Sequence, residues 1–197
     1  SYMSKQKEIQ DKLEKATKKI VNTKNMTKVS LIVAEGSDSF TDDILEGLAD
    51  YFWVRKFTLP KKQARIYSAL TKGLKVKFLN EKVYKFFLYL YPSILKKAIK
   101  WGDMIWVEWA SNEAVTASYL KNPSKKLFIR LHRFEAFEPY PFLIKWENVD
   151  KVVFVSNFMK EVLEDRGIKI NNEKSRVIYN GVDLDRYNFK QRENGYN

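Results

Sequence analysis

The chain has no cysteine and a single histidine, His132. Disulfides and thiolate metal sites are thereby excluded, and one imidazole leaves no histidine cluster for a metal, so no metal site is expected. A cysteine-free chain suits a reducing cytosol. Glycine is sparse, with seven residues, and none falls in a G-x-G-x-x-G or Walker lysine pattern, which argues against a dinucleotide dehydrogenase or a P-loop enzyme. No apolar run reaches the roughly 18 residues needed to span a bilayer. The lysine-rich first 28 residues lack the apolar core of a secretory leader. No internal repeat or low-complexity segment occurs.

What is present points to a globular chain. Its 197 residues suffice for one domain with a sizeable core, and 45% are hydrophobic and 15% aromatic. The net charge of +12 is unevenly spread. Residues 1–28 carry eight Lys against three acids, and residues 60–100 carry eleven Lys and Arg against Glu81 alone. In the latter segment the charges interleave with Tyr67, Phe78, Tyr84, Phe86, Phe87, Tyr89 and Tyr91. A basic, aromatic surface suits an anionic membrane or a polyanionic acceptor; the alternative is a solvated lysine face over ordinary core aromatics. No nucleic-acid-binding signature accompanies it, so nucleic acid is not an expected partner.

Residues 4–22 predict a charged amphipathic helix: Ile9, Leu13, Ala16 and Ile20 form a narrow stripe flanked by Glu–Lys pairs four apart. Strands and helices then alternate. Strands are predicted at Lys28–Ala34, Trp53–Leu59, Leu74–Leu79, Asp103–Val107, Lys126–Leu131, Lys151–Val155 and Arg176–Tyr179. Helices are predicted from Thr41 to about Tyr51, over 61–72, over 81–100 with a restart at Pro92, and near 111–121, 139–147 and 157–166. The pattern implies an α/β, Rossmann-like domain: a mostly parallel sheet of about seven strands with helices on both faces. The expected organisation is a charged helix over 1–27, the domain over 28–190, and the start of a linker over 191–197.

In such a sheet, ligands bind at the carboxyl ends of the strands. The turns there supply Glu35, Gly36, Ser37 and Asp38; Glu108, Trp109, Ser111 and Asn112; His132, Arg133 and Glu135; Ser156 and Asn157; and Asn180 and Gly181. Gly36 and Ser37 offer close backbone approach for a phosphate or a sugar hydroxyl, or else merely a tight turn. His132 can position a hydroxyl or move a proton. Arg133 can bind phosphate or pair with Glu135. Glu108, between Trp106 and Trp109, belongs either to a sugar-stacking platform or to core packing.

Three stretches carry a resemblance. Val152-Val153-Phe154-Val155-Ser156-Asn157-Phe158, followed by a helix ending at Gly167, is similar to the "strand, Ser, helix, Gly" segment of retaining GT-B glycosyltransferases of the family 4-like kind. Arg176-Val177-Ile178-Tyr179-Asn180-Gly181-Val182-Asp183, with Tyr187 beyond, resembles that family's interdomain stretch, with Tyr179 where proline is usual. His132 stands where the family places a histidine after its fifth strand. The resemblance covers about residues 28–190 and implies the acceptor-side half of an enzyme that moves a sugar from a nucleotide-diphosphate donor to a saccharide or lipid-linked acceptor with retention. By position, Gly36 and Ser37 would lie near the donor diphosphate or the acceptor, His132 would touch the transferred sugar or orient the acceptor, and Asn180-Gly181 would lead to the hinge. Glu35 stands where many members have a second glycine.

The resemblance further implies no bound cofactor. The donor would be a co-substrate held mainly by a C-terminal domain absent from this chain, so the chain alone would not turn over. A cytoplasmic location, with peripheral contact at the inner membrane face through residues 60–100, is the corresponding expectation. The competing readings are a non-catalytic basic module for anionic membrane or polyanion, and another GT-B member such as an epimerase or phosphorylase.

Overall fold

The computed structural model describes residues 26–36, 41–62 and 93–181. The predicted helix over 4–22, the predicted strand Leu74–Leu79, most of the predicted helix over 61–72 and the first part of that over 81–100 lie outside them, as does everything after Gly181.

Elements follow one another as β1 (Lys28–Ala34), α1 (Thr41–Ala49), β2 (Trp53–Leu59), α2 (Ser93–Trp101), β3 (Met104–Val107), α3 (Asn112–Leu120), β4 (Lys126–Leu131), α4 (Arg133–Phe137), β5 (Lys151–Phe154), α5 (Asn157–Asp165) and β6 (Ser175–Val177). The six strands form one sheet in the order β2-β1-β3-β4-β5-β6, and every pairing is parallel. The fold is α/β and Rossmann-like.

Burial explains why the strands read as near-continuous apolar runs. Val29, Ser30, Leu31, Ile32 and Val33 are all buried, so β1 is covered on both faces. Register separates the faces. Ile32, Phe57, Ile105, Val107, Leu127, Ile129, Leu131, Val152 and Phe154 share one face and belong to a single hydrophobic cluster with α2, α3 and α5. Ser30 points the same way, and its hydroxyl donates to the Ala98 carbonyl of α2 at 2.7 Å. The opposite face carries α1, where Lys56 donates to the Thr41 hydroxyl at 3.4 Å and to Asp42 at 3.1 Å. Right-handed crossovers demand this division, because the chain moves one way from β1 to β2 and the other way thereafter.

One detail adjusts the expected elements. The helix predicted over 139–147 is replaced by the short α4 and by 3-10 turns at Tyr140–Phe142 and Trp146–Asn148. The loop is held instead by side chains: the Trp146 indole donates to the Pro141 carbonyl at 2.8 Å, and Asn148 donates to the Ser118 carbonyl at 2.8 Å. Just beyond it, at the amino edge of the sheet, Asp150 accepts from Lys121 (2.7 Å), Lys126 (2.9 Å) and the Leu127 amide (2.9 Å), which fixes the entry to β5.

Candidate active site at the carboxyl edge

The strand order reverses between β1 and β3, so the crevice of this sheet opens where those strands end. β1 delivers Glu35 and Gly36 there, and β3 delivers Glu108. Gly36 is exposed with φ near +80°, a conformation suited to glycine, and an added Cβ would meet the Lys61 ammonium at 4.0 Å. Beside it Glu35 accepts from the Lys61 amide at 2.8 Å, and its own amide donates to the Leu59 carbonyl at 2.9 Å. Glu35 therefore ties the ends of β1 and β2 together. Ser37 lies outside the described residues.

A buried polar cluster forms at the ends of β3 and β4. Val107 pairs with Ile129, so Glu108 comes level with Arg130. Side chains alternate along a strand, so His132 follows Arg130 onto the same face, opposite the apolar cluster. Glu108 is 1% exposed, His132 5% and Arg130 8%. Oε1 of Glu108 accepts from Arg130 Nη1 and meets His132 Nε2, each at 3.1 Å, while Oε2 accepts from the Trp106 indole at 2.9 Å. A carboxylate only accepts, so this contact assigns the proton of a neutral His132 ring to Nε2 and leaves a lone pair on Nδ1. The Trp109 ring stacks on the imidazole, with centroids 4.1 Å apart and planes 23° from parallel. Orientation and tautomer of His132 are thus set by neighbours from β3.

His132 also begins α4, with Glu135 three residues on. The Glu135 side chain turns inward and accepts from the Ala110 amide at 2.9 Å, joining the turn after β3 to the helix after β4. Among the described residues its second oxygen is buried without a hydrogen-bond partner. Burial pushes the carboxyl up to about 7, against the lowering influence of its own backbone, His132 and the Ala110 amide. A carboxyl of this kind exchanges a proton near neutrality. Of the two roles open to Arg133, the pair with Glu135 does not form: Arg133 is exposed, whereas the Glu135 carboxyl meets the Ala110 amide. Residues two apart on a helix do not face one another.

The structure joins Asn180 to the same cluster. Its side-chain oxygen accepts from Arg130 Nη2 at 2.5 Å, so the segment leaving β6 folds back toward β4. Asn112, the first residue of α3, is buried. Ser156 has a structural task, accepting from the Met159 amide at 3.3 Å as the N-cap of α5, and Asn157 beside it is exposed. Glu108, His132, Glu135 and Asn180 are therefore gathered together, whereas no described bond links Ser156, Asn157, Arg133 or Gly36 to them. Sequence reasoning missed Arg130, the hub of the cluster. Its signal was a basic residue inside an apolar strand, two before a histidine. Among the described residues no group of three or more acidic or histidine side chains is arranged to hold a metal ion.

The comparisons bear on the second half of the chain. Residues 117–186 match the family model Glycosyltransferase Family 4. Over that stretch the chain is similar to a glycosyltransferase family 4-like domain. The matched stretch begins within α3 and includes His132, Glu135, Ser156 and Asn180. Gly36 and Glu108 precede it. No curated protein matches the chain significantly. The Arg130–His132–Glu135 side of the crevice is thus glycosyltransferase family 4-like sequence, and Glu108 completes it from outside the matched stretch.

Proposed function

We propose that this chain is the acceptor-binding half of a glycosyltransferase that moves a sugar from a nucleotide-diphosphate donor to a saccharide or lipid-linked acceptor, with the anomeric configuration retained. The observation that carries the reading is the Glu108–His132–Arg130 cluster at the mouth of the crevice, set within and beside glycosyltransferase family 4-like sequence. His132 is the residue through which the chain acts on substrate. With Nε2 committed to Glu108, Nδ1 accepts a hydrogen bond from a sugar hydroxyl, or donates one to phosphate when the ring is doubly protonated. Glu135 holds or releases a proton close to the same ring. Asn112 and Asn180 contribute polar contacts along the acceptor path, and Gly36 with Ser37 borders the donor diphosphate. Arg133, Ser156 and Asn157 form the outer rim.

Sugar transfer depends largely on positioning and on stabilising the leaving group. In this reading the donor nucleotide is a co-substrate held mainly by a second domain, and no resident cofactor takes part. The proposed setting is the cytoplasm, with contact to anionic membrane through residues 60–100. The test is direct: the full-length protein is incubated with a panel of nucleotide-diphosphate sugars and saccharide or lipid-linked acceptors, and products are read by mass spectrometry and NMR. Transfer with a retained anomeric centre is expected. An inverted product would overturn the retaining assignment, and absence of transfer across the panel would favour a non-catalytic binding role.

A further inference from the structure

We infer that Arg130 is a positioning residue that couples the segment leaving β6 to the His132 ring through Glu108. The inference rests on His132 being the working group of the crevice. Arg130 is nearly buried and holds two partners with two nitrogens: Nη1 donates to Glu108 Oε1 at 3.1 Å and Nη2 donates to Asn180 Oδ1 at 2.5 Å. The Glu108 oxygen it reaches is the one that meets His132 Nε2. Among the described residues its Nε is buried without a partner, so there the guanidinium is held by those two contacts.

Arg130 and His132 therefore share one acceptor atom. A shift of the guanidinium alters how much of that oxygen remains for the imidazole. Asn180 lies three residues beyond the end of β6 and is itself exposed, so its place follows the path of the chain there. Displacing Asn180 removes one anchor of Arg130 and throws the guanidinium onto Glu108. The charged and titratable groups around His132 are Glu108 from the end of β3, Arg130 from its own strand, and Glu135 and Arg133 from α4. Of these, Arg130 alone bonds to the segment after β6.

The single histidine makes the coupling measurable without substrate. A long-range proton–nitrogen spectrum of the 15N-labelled chain contains one imidazole. The expected wild-type pattern has a proton on Nε2, the nitrogen that meets Glu108. Asn180→Ala should move both ring-nitrogen resonances, and so should Arg130→Lys, because one ammonium cannot span both partners. Asn180→Asp retains the acceptor and should lie closer to wild type. Tyr179→Ala, on the same segment but with an exposed side chain, should leave the imidazole unchanged. Unchanged imidazole signals in folded Asn180→Ala, or an equal response to Tyr179→Ala, would overturn the coupling. If Arg130→Lys fails to fold, the exposed Asn180 position still decides. The readout is independent of sugar transfer: an imidazole that responds in a protein without transferase activity keeps the coupling and removes the functional reading, and the reverse removes only the coupling.

Discussion

A carboxyl group hidden from water is costly to ionise, and Glu135 is placed in that situation by the turn that begins at His132. In an unfolded chain the group titrates near 4.5, and in the fold burial carries it to about 7. Below the lower value both states hold the proton, and the folded state keeps its full advantage. As pH rises through the window the unfolded chain gives up the proton first, so stability falls until the folded carboxyl has also ionised. Denaturant melts at about pH 5 and about pH 8 should show this loss, on the order of 1–3 kcal/mol, and Glu135→Gln should flatten it while keeping an acceptor for the Ala110 amide. A slope unaltered by the substitution would show that another group governs it. At this scale the sequence was only partly legible. The rim positions Glu108, His132, Glu135 and Asn180 followed from strand ends, but their convergence on Arg130 depends on register between β3 and β4, which no single segment reveals.

The elements are joined at close quarters where α2 hands over to β3. A Cβ on Gly102 would come within 2.5 Å of the Ser30 hydroxyl and 2.7 Å of the Met104 carbonyl, so the helix can approach the sheet only through glycine. Lys125 completes the junction by donating to the carbonyls of Ile99 (2.9 Å), Lys100 (2.6 Å) and Gly102 (2.6 Å), the groups a helix C-terminus leaves unpaired. Gly102→Ala should cost about 1–3 kcal/mol. Gly47→Ala, in α1 where the added methyl would meet no described atom within 4 Å outside the adjoining helix backbone, should instead stabilise by about 0.5–1 kcal/mol. Thermal unfolding of the two variants gives opposite signs if the close approach is the reason for Gly102. Asp150 provides a second check. Burial alone would raise its carboxyl, but bonds from Lys121, the Leu127 amide and Lys126 outweigh that and hold it at about 2. Its contribution is present above the unfolded value of 3.8 and is lost as pH falls toward 2, a loss that Asp150→Asn should remove from an acid titration. Element types were readable because both-face burial leaves unbroken apolar strands. The helix expected over 139–147 was not, because side-chain bonds from Trp146 and Asn148 to the Pro141 and Ser118 carbonyls hold short 3-10 turns there, and such contacts are not written in a local apolar period.

The whole molecule combines a parallel sheet, a crevice at its switch point and a strongly basic composition. Among the described residues no helix is long and apolar enough to cross a membrane. The basic segment 60–100 suits a surface contact, and sedimentation with vesicles tests it. More protein should pellet with anionic than with neutral vesicles, and the difference should shrink with added salt. Equal pelleting, or none, would remove the membrane from the proposal. Topology at this scale was legible as a parallel α/β sheet, since alternating elements permit few other arrangements; the strand order, and with it the exact crevice, required the pairings. The central claim is that this crevice transfers sugar through His132. The most direct measurement is the steady-state rate of transfer by full-length wild-type and His132→Ala proteins, both confirmed as folded. A fall of roughly 10²-fold or more is expected, and an unchanged rate would contradict the claim.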